Sequence, residues 1–192
     1  MADTGTRSPT TTSGFNTGAS SAIDGNDNTG ASSFGIGGSK TYTLGGFAGD
    51  DLPVGATVNG VKVRIRCSHY ILFSYEAATI TSVKLSLNDG SAYSSNILSS
   101  NQNTSSSPTD YVFGGESETW GLDWSGFTDI SDLKVEFISF TADGTGNHFL
   151  VTHEVDAIVY YTGGDGDSSS VFTPTMKIQS GFTLSGGKLT IK

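Results

Sequence analysis

The chain has 192 residues and a formal charge of −9, and only 15% of its residues are charged whereas glycine alone occurs 26 times. A chain of this length buries about 70% of the surface that its unfolded form exposes, which is enough for one core without a disulfide or a metal. Abundant turn-forming residues with scattered aromatics favour short strands joined by turns. The composition therefore predicts an all-β protein and excludes a bundle of long helices.

The first part of the chain contains few large apolar side chains, so we predict an extended N-terminal arm over residues 1–36. No apolar stretch has the length typical of a signal peptide or a membrane span, and we expect no contact with a membrane. The single cysteine, Cys67, cannot form an internal disulfide and is consistent with synthesis in a reducing cytoplasm.

A body of short strands is predicted over residues 37–162. Its clearest strand signal is an alternation in which apolar side chains share one face and polar side chains the other: Val61, Val63, Ile65 and Cys67 against Lys62, Arg64, Arg66 and Ser68. Cys67 should therefore be a small buried apolar residue. The last predicted strand, 149–162, becomes continuously apolar toward its end, as expected for a strand in the middle of a sheet.

The end of the chain is predicted to be a flexible linker, 163–170, followed by a C-terminal β-hairpin arm, 171–192. The two glycines that begin at Gly186 are a strong signal for a two-residue hairpin turn. Folding about this turn places Leu184 opposite Leu189 on an apolar face and puts the neighbouring threonines on the other face.

An isolated two-stranded hairpin is marginal in water, so an apolar hairpin must be covered by its own body or by a neighbouring subunit. The linker and the charge distribution favour the neighbour, and we therefore predict a homo-oligomer. The residues predicted to form the interface between subunits are Phe172, Met176, Ile178, Phe182, Leu184, Leu189 and Ile191.

Charge is distributed unevenly along the chain. From Asp89 to Asp167 there are thirteen acidic residues and one basic residue, Lys134, whereas the residues from Ser168 onward include three lysines and no acid. An acidic body and a basic tail are complementary between copies, and such fields orient an encounter. The alternative is that acidity only keeps a polar surface soluble. The negative charge argues against a nucleic-acid partner.

Four short motifs follow one another between Thr41 and Tyr161. They are LPVGATVNGVKVRIRC at 52–67, a WG pair with a second tryptophan at 120–124, FTDISDLKVEF at 127–137, and VDAIVYY at 155–161. In this order they resemble a domain that recurs in structural proteins of tailed bacteriophages and prophages. The resemblance implies a single, jelly-roll-like β-sandwich in a virion component, made in the cytoplasm of a host bacterium.

Motifs for bound groups are incomplete, so we predict no cofactor and no metal. The glycine-rich stretch 35–41 lacks the Gly-Lys-Thr junction of a phosphate loop, and 24–28 has only the first spacings of a calcium loop. Histidines 69, 148 and 153 do not have the spacing of metal ligands. A serine–histidine–aspartate triad is not excluded by counting, but no nucleophile-elbow motif marks a particular serine.

Trp120 and Trp124 are surrounded in the sequence by carboxylates, a combination also found in sugar clefts. At this spacing on a strand the two rings would share one face and could form a glycan platform. The alternative, which we favour, is that both tryptophans are packing residues beside turn-forming aspartates.

We predict a non-enzymatic structural protein of a virion, with a phage capsid decoration (cement) protein as the leading interpretation. Its arms would stabilise the particle through contacts with other copies and with the major capsid protein or another virion protein. The alternative is a tail or fibre component that binds host glycans through Trp120 and Trp124. A glycosidase or an esterase is a third, less favoured class.

Overall fold

The chain is described by a computed structural model over residues 1–16, 18–22, 30–36, 38–48, 51–69, 78–141, 147–164, 183–185 and 188–190. Twelve strands lie in these ranges: β1 (Ala2–Asp3), β2 (Thr11–Ser13), β3 (Ala31–Ile36), β4 (Gly38–Gly45), β5 (Thr57–His69), β6 (Thr79–Ser86), β7 (Gln102–Asn103), β8 (Thr109–Gly114), β9 (Lys134–Thr141), β10 (Asn147–Thr162), β11 (Thr183–Ser185) and β12 (Lys188–Thr190). Helical structure within the same ranges is limited to two 3-10 turns, Ala19–Ala22 and Ile130–Asp132.

The strands form two antiparallel five-stranded sheets. In sheet A, β1 and β3 both pair with β10, which is followed by β5 and β8; in sheet B the order is β2, β4, β9, β6, β7. The pairs β3–β10, β4–β9, β5–β8 and β6–β7 nest inside one another along the chain, which is the connectivity of a jelly roll. The predicted all-β, jelly-roll-like sandwich is confirmed.

One apolar core lies between the sheets, and the alternation along β5 explains its formation. Val61, Val63, Ile65 and Cys67 are fully buried, as predicted, while the charged residues between them face outward. From sheet B, the ring of Phe137 stacks on that of Tyr42 with centroids 4.5 Å apart. Burying a large apolar side chain contributes about 1.5–3 kcal/mol, so this shared core stabilises the sandwich.

The described N-terminal residues belong to the sandwich, which corrects the predicted arm over 1–36. β1 pairs with the end of β10, β2 pairs with β4, and β3 pairs with the start of β10. Between these strands, the N–H of Thr4 donates to Val159 O at 3.0 Å, and Arg7 exchanges backbone hydrogen bonds with Ala157. These segments need few large apolar residues because they complete backbone hydrogen bonding at sheet edges.

The C-terminal hairpin has the register that the sequence predicts. Leu184 pairs with Leu189, Thr183 with Thr190, and Ser185 with Lys188. The remaining predicted interface residues lie outside the described part of the chain: Phe172, Met176, Ile178, Phe182 and Ile191. The same holds for most of the linker 163–170, of which Gly163 and Gly164 are described.

Candidate functional site

The two tryptophans lie in turns between β8 and β9. Trp120 has a left-handed backbone, with φ of 59°, and its indole Nε1 donates to Val61 O at 2.9 Å. The indole Nε1 of Trp124 donates to Thr119 O, also at 2.9 Å. Only 4% of Trp120 and 8% of Trp124 is exposed. The expectation that the rings share a strand face is therefore wrong, and both pack in the core as the alternative interpretation held.

Trp120 packs against the glycine that ends β8. Gly114 has a φ of 72°, a conformation that residues with a Cβ rarely adopt. A Cβ at this position would collide with Val61 O and would lie 2.8 Å from the indole nitrogen of Trp120. This close contact between Gly114 and Trp120 fixes the point where the chain leaves sheet A and turns toward residues 120–124.

Two open grooves flank the loop that contains Asp123. One, of about 370 Å³, is lined by Thr57, Leu122 and Trp124 among others. The other, of about 390 Å³, shares Asp123, Ser125 and Gly126 with the first and is also lined by Phe127 and several polar residues. Apolar walls with hydroxyl and carboxylate groups are a combination found in small-molecule sites.

The carboxylates near the tryptophans mostly stabilise local turns. Asp123 accepts from the N–H of Ser125 at 3.0 Å, and this bond lowers the pKa of Asp123. Asp129 accepts from the side chain and the N–H of Ser131, which lowers its pKa and caps the turn Ile130–Asp132. Neither carboxyl has the raised pKa of a general acid.

A cluster of charges lies on the outer face of sheet A, where β5 is paired with β10 and β8. The Arg64 guanidinium contacts Oε2 of Glu154 and Oδ2 of Asp156, each at 2.6 Å. Arg66 Nη1 donates to Asp110 Oδ1 at 2.9 Å. The side chains of Glu154 and Asp156 are 8% and 4% exposed, although they are on the outer face.

One guanidinium cannot fully neutralise two buried carboxylates. Burial raises the pKa of Asp156 even though Arg64 lowers it. For Arg64, burial disfavours the charge, but Asp156 and Glu154 outweigh this effect and raise the pKa of the guanidinium above its ordinary value. Arg64 therefore stays charged, and Asp156 is the group whose charged form burial disfavours.

The outer edges of the two sheets differ. In sheet B, β6 is covered by the loop that follows it: Val83 N–H donates to Asn96 Oδ1 at 3.0 Å, and Asn96 Nδ2 donates to Thr81 O at 2.9 Å. The loop returns a bond from Ile97 N–H to Val83 O. In sheet A, β8 pairs with β5 on one side, and no other described strand joins it.

The described histidine and cysteine side chains are accounted for by packing and hydrogen bonds. His153 Nε2 and Ser68 Oγ are 3.1 Å apart, and His69 Nδ1 and Thr104 Oγ1 are also 3.1 Å apart. Cys67 is fully buried, as predicted, and burial raises the pKa of its thiol to about 12. A thiol with this pKa is a packing residue rather than a nucleophile.

Sequence reasoning missed the Arg64 cluster and the Ser68–His153 contact. Arg64 lies 92 residues from Asp156 and Ser68 lies 85 residues from His153, so neither pair is visible before the strands are aligned. The available signal was two alternating charged pairs, Arg-x-Arg in β5 and Glu-x-Asp in β10. Opposite charges on paired strands attract across the ladder.

Among the described residues, no group of three or more histidine, cysteine or acidic side chains is arranged to hold a metal ion. The possible calcium loop at 24–28 lies outside those residues. In the same part of the chain, no helix is both long enough and apolar enough to cross a membrane.

No protein-family model and no curated relative matches this chain. Among solved structures, it is similar to the xylan-binding module CBM15, with 14% identity, a TM-score of 0.40, and coverage of 81% of this chain and 90% of that one. It is also similar to CBM32 of AlyQ in complex with 4,5-unsaturated mannuronic acid, with 14% identity, a TM-score of 0.38, and coverage of 81% and 97%. A third is TmCBM61 in complex with β-1,4-galactotriose, with 10% identity, a TM-score of 0.33, and coverage of 67% and 68%. Likenesses at TM-scores this low say nothing about what the chain binds.

Proposed function

We propose that the chain is a structural protein of a virion, most specifically a decoration protein on a phage capsid. It would act without a catalytic step, by adding contacts between its own copies and a major capsid protein or another virion protein. The observation that carries the proposal is the C-terminal hairpin. Within the described residues, β11 and β12 pair with each other and join neither five-stranded sheet.

A hairpin of this size is not stable alone in water. The register pairs Leu184 with Leu189, the apolar residues of β11 and β12. Residues directly opposite in an antiparallel ladder belong to the same face of the sheet. Covering an apolar side chain contributes about 1.5–3 kcal/mol before the cost of ordering the arm. Repeated at every copy on a particle, several such side chains supply a substantial stabilising interface.

Charge supports the same proposal. The residues from 168 onward carry three lysines and no acid, whereas the chain as a whole has 19 acidic and 10 basic residues. The tail of one copy is therefore attracted to the body of another. This attraction increases the rate of encounter at low salt and orients the partners.

Density-gradient sedimentation of particles tests this function. In a lysate of cells that produce the chain naturally, we expect the chain to sediment with DNA-filled particles. The double variant Leu184→Ser/Leu189→Ser, added to purified particles, should lose this association, whereas the matched variant Thr183→Ser/Thr190→Ser should keep it. A native chain that remains at the top of the gradient contradicts the proposal.

Glycan binding is the second candidate, favoured by the groove beside Trp124. The groove combines the apolar side chains of Leu122 and Trp124 with the polar groups of Thr57 and Asp123. Because the tryptophan is mostly buried, the groove and not an exposed ring face would hold the sugar.

Titration of tryptophan fluorescence with a panel of bacterial surface polysaccharides tests the second candidate. Asp123→Asn should weaken binding at least about tenfold, the effect of losing one hydrogen bond to a charged group. Asp51→Asn, a change of the same kind at an exposed residue outside the groove, should leave binding unchanged. Equal affinities for the two variants, or no binding by the native chain, would exclude this groove.

A further inference from the structure

We propose that the open edge of β8 receives the C-terminal hairpin of a second copy, which adds β12 to sheet A. This inference rests on the assembly function proposed above and identifies the surface that accepts the arm. The available backbone groups of β8, the sequence alternation along β12 and the charges of both segments support this pairing.

The hydrogen-bonding pattern shows which groups of β8 are available. Gly115 N–H donates to Val61 O at 3.0 Å, and the pairing continues with Val63 opposite Phe113. Hydrogen-bonded and non-hydrogen-bonded pairs alternate in an antiparallel ladder, so every second residue of β8 directs its backbone away from β5. Asp110 and Val112 are these residues.

The available edge is also exposed and partly apolar. Val112 is 56% exposed, one of the most exposed large apolar residues in the described part of the chain. Within that part, no hydrogen bond covers the outward backbone groups of Asp110 or Val112. By contrast, Asn96 and its loop cover the edge of β6. An uncovered edge of this kind pairs readily with another strand.

The two faces of β8 match the alternation along β12. Tyr111 and Phe113 are directed to the core and are 8% exposed, while Asp110 is on the outer face. In the hairpin sequence, Leu189 alternates with lysine and threonine. When β12 continues the sheet with Leu189 beside Tyr111 and Phe113, Lys188 lies on the face of Asp110. A shift by one residue would direct Lys188 toward the core, which disfavours that register.

Charge favours the same pairing. Exposed acids lie directly after β8, at Glu116 and Glu118, beside Asp110, which already pairs with Arg66. The C-terminal tail has lysines at 177, 188 and 192 and no acid. Each pair of opposite charges on neighbouring strands stabilises the pairing by about 0.2–1 kcal/mol. Such pairs contribute more to the choice of partner than to affinity.

A second copy is the proposed donor, because its basic tail attracts the acidic residues after β8 and exchange between two copies closes. Each copy donates one hairpin and accepts one, so every contact forms twice. The exchange covers the exposed edge of β8.

Val112→Pro is the first test, because it removes an outward N–H that sheet A does not use. Val112→Thr is the matched control, since it keeps the N–H and changes the side chain by a similar amount. We expect the proline variant to weaken self-association at least about tenfold in sedimentation equilibrium, as the loss of one backbone bond and its neighbours predicts. The threonine variant should associate like the native chain, and both should keep the native circular dichroism spectrum.

Disulfide trapping gives a second readout if the proline variant does not fold. Because Cys67 is buried, single cysteines added at the surface react selectively. A Val112→Cys chain mixed with a Thr190→Cys chain of different mass should form a cross-linked heterodimer, whereas Val112→Cys with Leu189→Cys should form far less. Cross-linking within one doubly substituted chain, or of Val112→Cys with itself, would overturn the proposal.

The outcomes separate this inference from the assembly function. If Val112→Pro associates normally and no heterodimer is trapped, but the chain still sediments with particles, the acceptor edge is wrong while the assembly function stands. If the native chain neither self-associates nor sediments with particles, both fail.

Discussion

Arg64 and Asp156 are joined across β5 and β10, with Nε of the guanidinium 2.6 Å from Oδ2 of the carboxylate. The same guanidinium contacts Glu154, so one cation on the outer face of sheet A holds two carboxylates that are almost fully buried. These contacts connect strands that are about 90 residues apart in the chain. Removing these contacts should therefore destabilise the whole sheet.

Arg64→Met should lower the free energy of unfolding by roughly 3–5 kcal/mol at neutral pH, because it removes the cation that contacts the buried carboxylates of Glu154 and Asp156. Urea denaturation followed by circular dichroism measures the change. Lys84→Met is the control, since its partner Glu136 is 3.5 Å away and the two side chains are more exposed than Glu154 and Asp156. It should cost about 1 kcal/mol or less. Equal losses for the two variants would contradict a special role for the Arg64 cluster.

The raised pKa of Asp156 predicts the direction in which the stability of the folded chain changes with pH. Between its ordinary value of 3.8 and its raised folded value, the folded state binds more protons than the unfolded state, so stability falls as pH rises. Asp156→Asn removes this titration. The stability of the native chain minus that of Asp156→Asn should therefore decrease with rising pH across this window, with a slope of at most about 1.4 kcal/mol per pH unit. A difference that is constant or increases would contradict the burial argument.

Gly114→Ala should destabilise the protein far more than Gly121→Ala. The two glycines have similar φ values, 72° and 65°, so both variants bear the cost of a left-handed alanine, about 1 kcal/mol. At Gly114 the new Cβ also collides with Val61 O and crowds the ring of Trp120, whereas nothing lies within 4 Å at Gly121. Thermal unfolding of both variants measures the difference. Similar melting temperatures would show that Trp120 does not pack against β8 as described.

Asn96→Ala should uncover the edge of β6. The side chain accepts from Val83 N–H in a partly buried bond and donates to Thr81 O in an exposed one, and each lost bond costs about 0.5–1.5 kcal/mol. We expect a lower melting temperature and faster aggregation on heating, measured by light scattering. Asn88→Ala, at an exposed residue near the start of the same loop, is the comparison. An Asn96→Ala chain as soluble as that comparison would contradict the covering role.

The elements that the sequence predicted well are those in which one local signal decides the structure. The period-two alternation of Val61, Val63, Ile65 and Cys67 identified β5 and its buried face, since residues two apart point to the same side of a strand. The two glycines after Ser185 identified the hairpin turn and hence the pairing of Leu184 with Leu189. Both signals are complete within about ten residues.

Other features depend on contacts between distant parts of the chain. β1, β2 and β3 are held by backbone bonds to sheet edges, which leave no apolar pattern in the sequence. The spacing of Trp120 and Trp124 would give them a common face on a strand, but the left-handed backbone of Trp120 places them in turns. The Arg64 cluster requires the register of β5 against β10, which only the folded sandwich supplies.

The central claim is that the C-terminal hairpin is covered by another protein chain. Sedimentation velocity of the native full-length chain over a wide concentration range, at low and at high salt, tests this claim most directly. We predict a monomer at the lowest concentrations and a closed dimer at higher ones, with association weakened by salt because basic tails meet acidic bodies. A single monomeric species at every concentration and at both salt levels would contradict the claim.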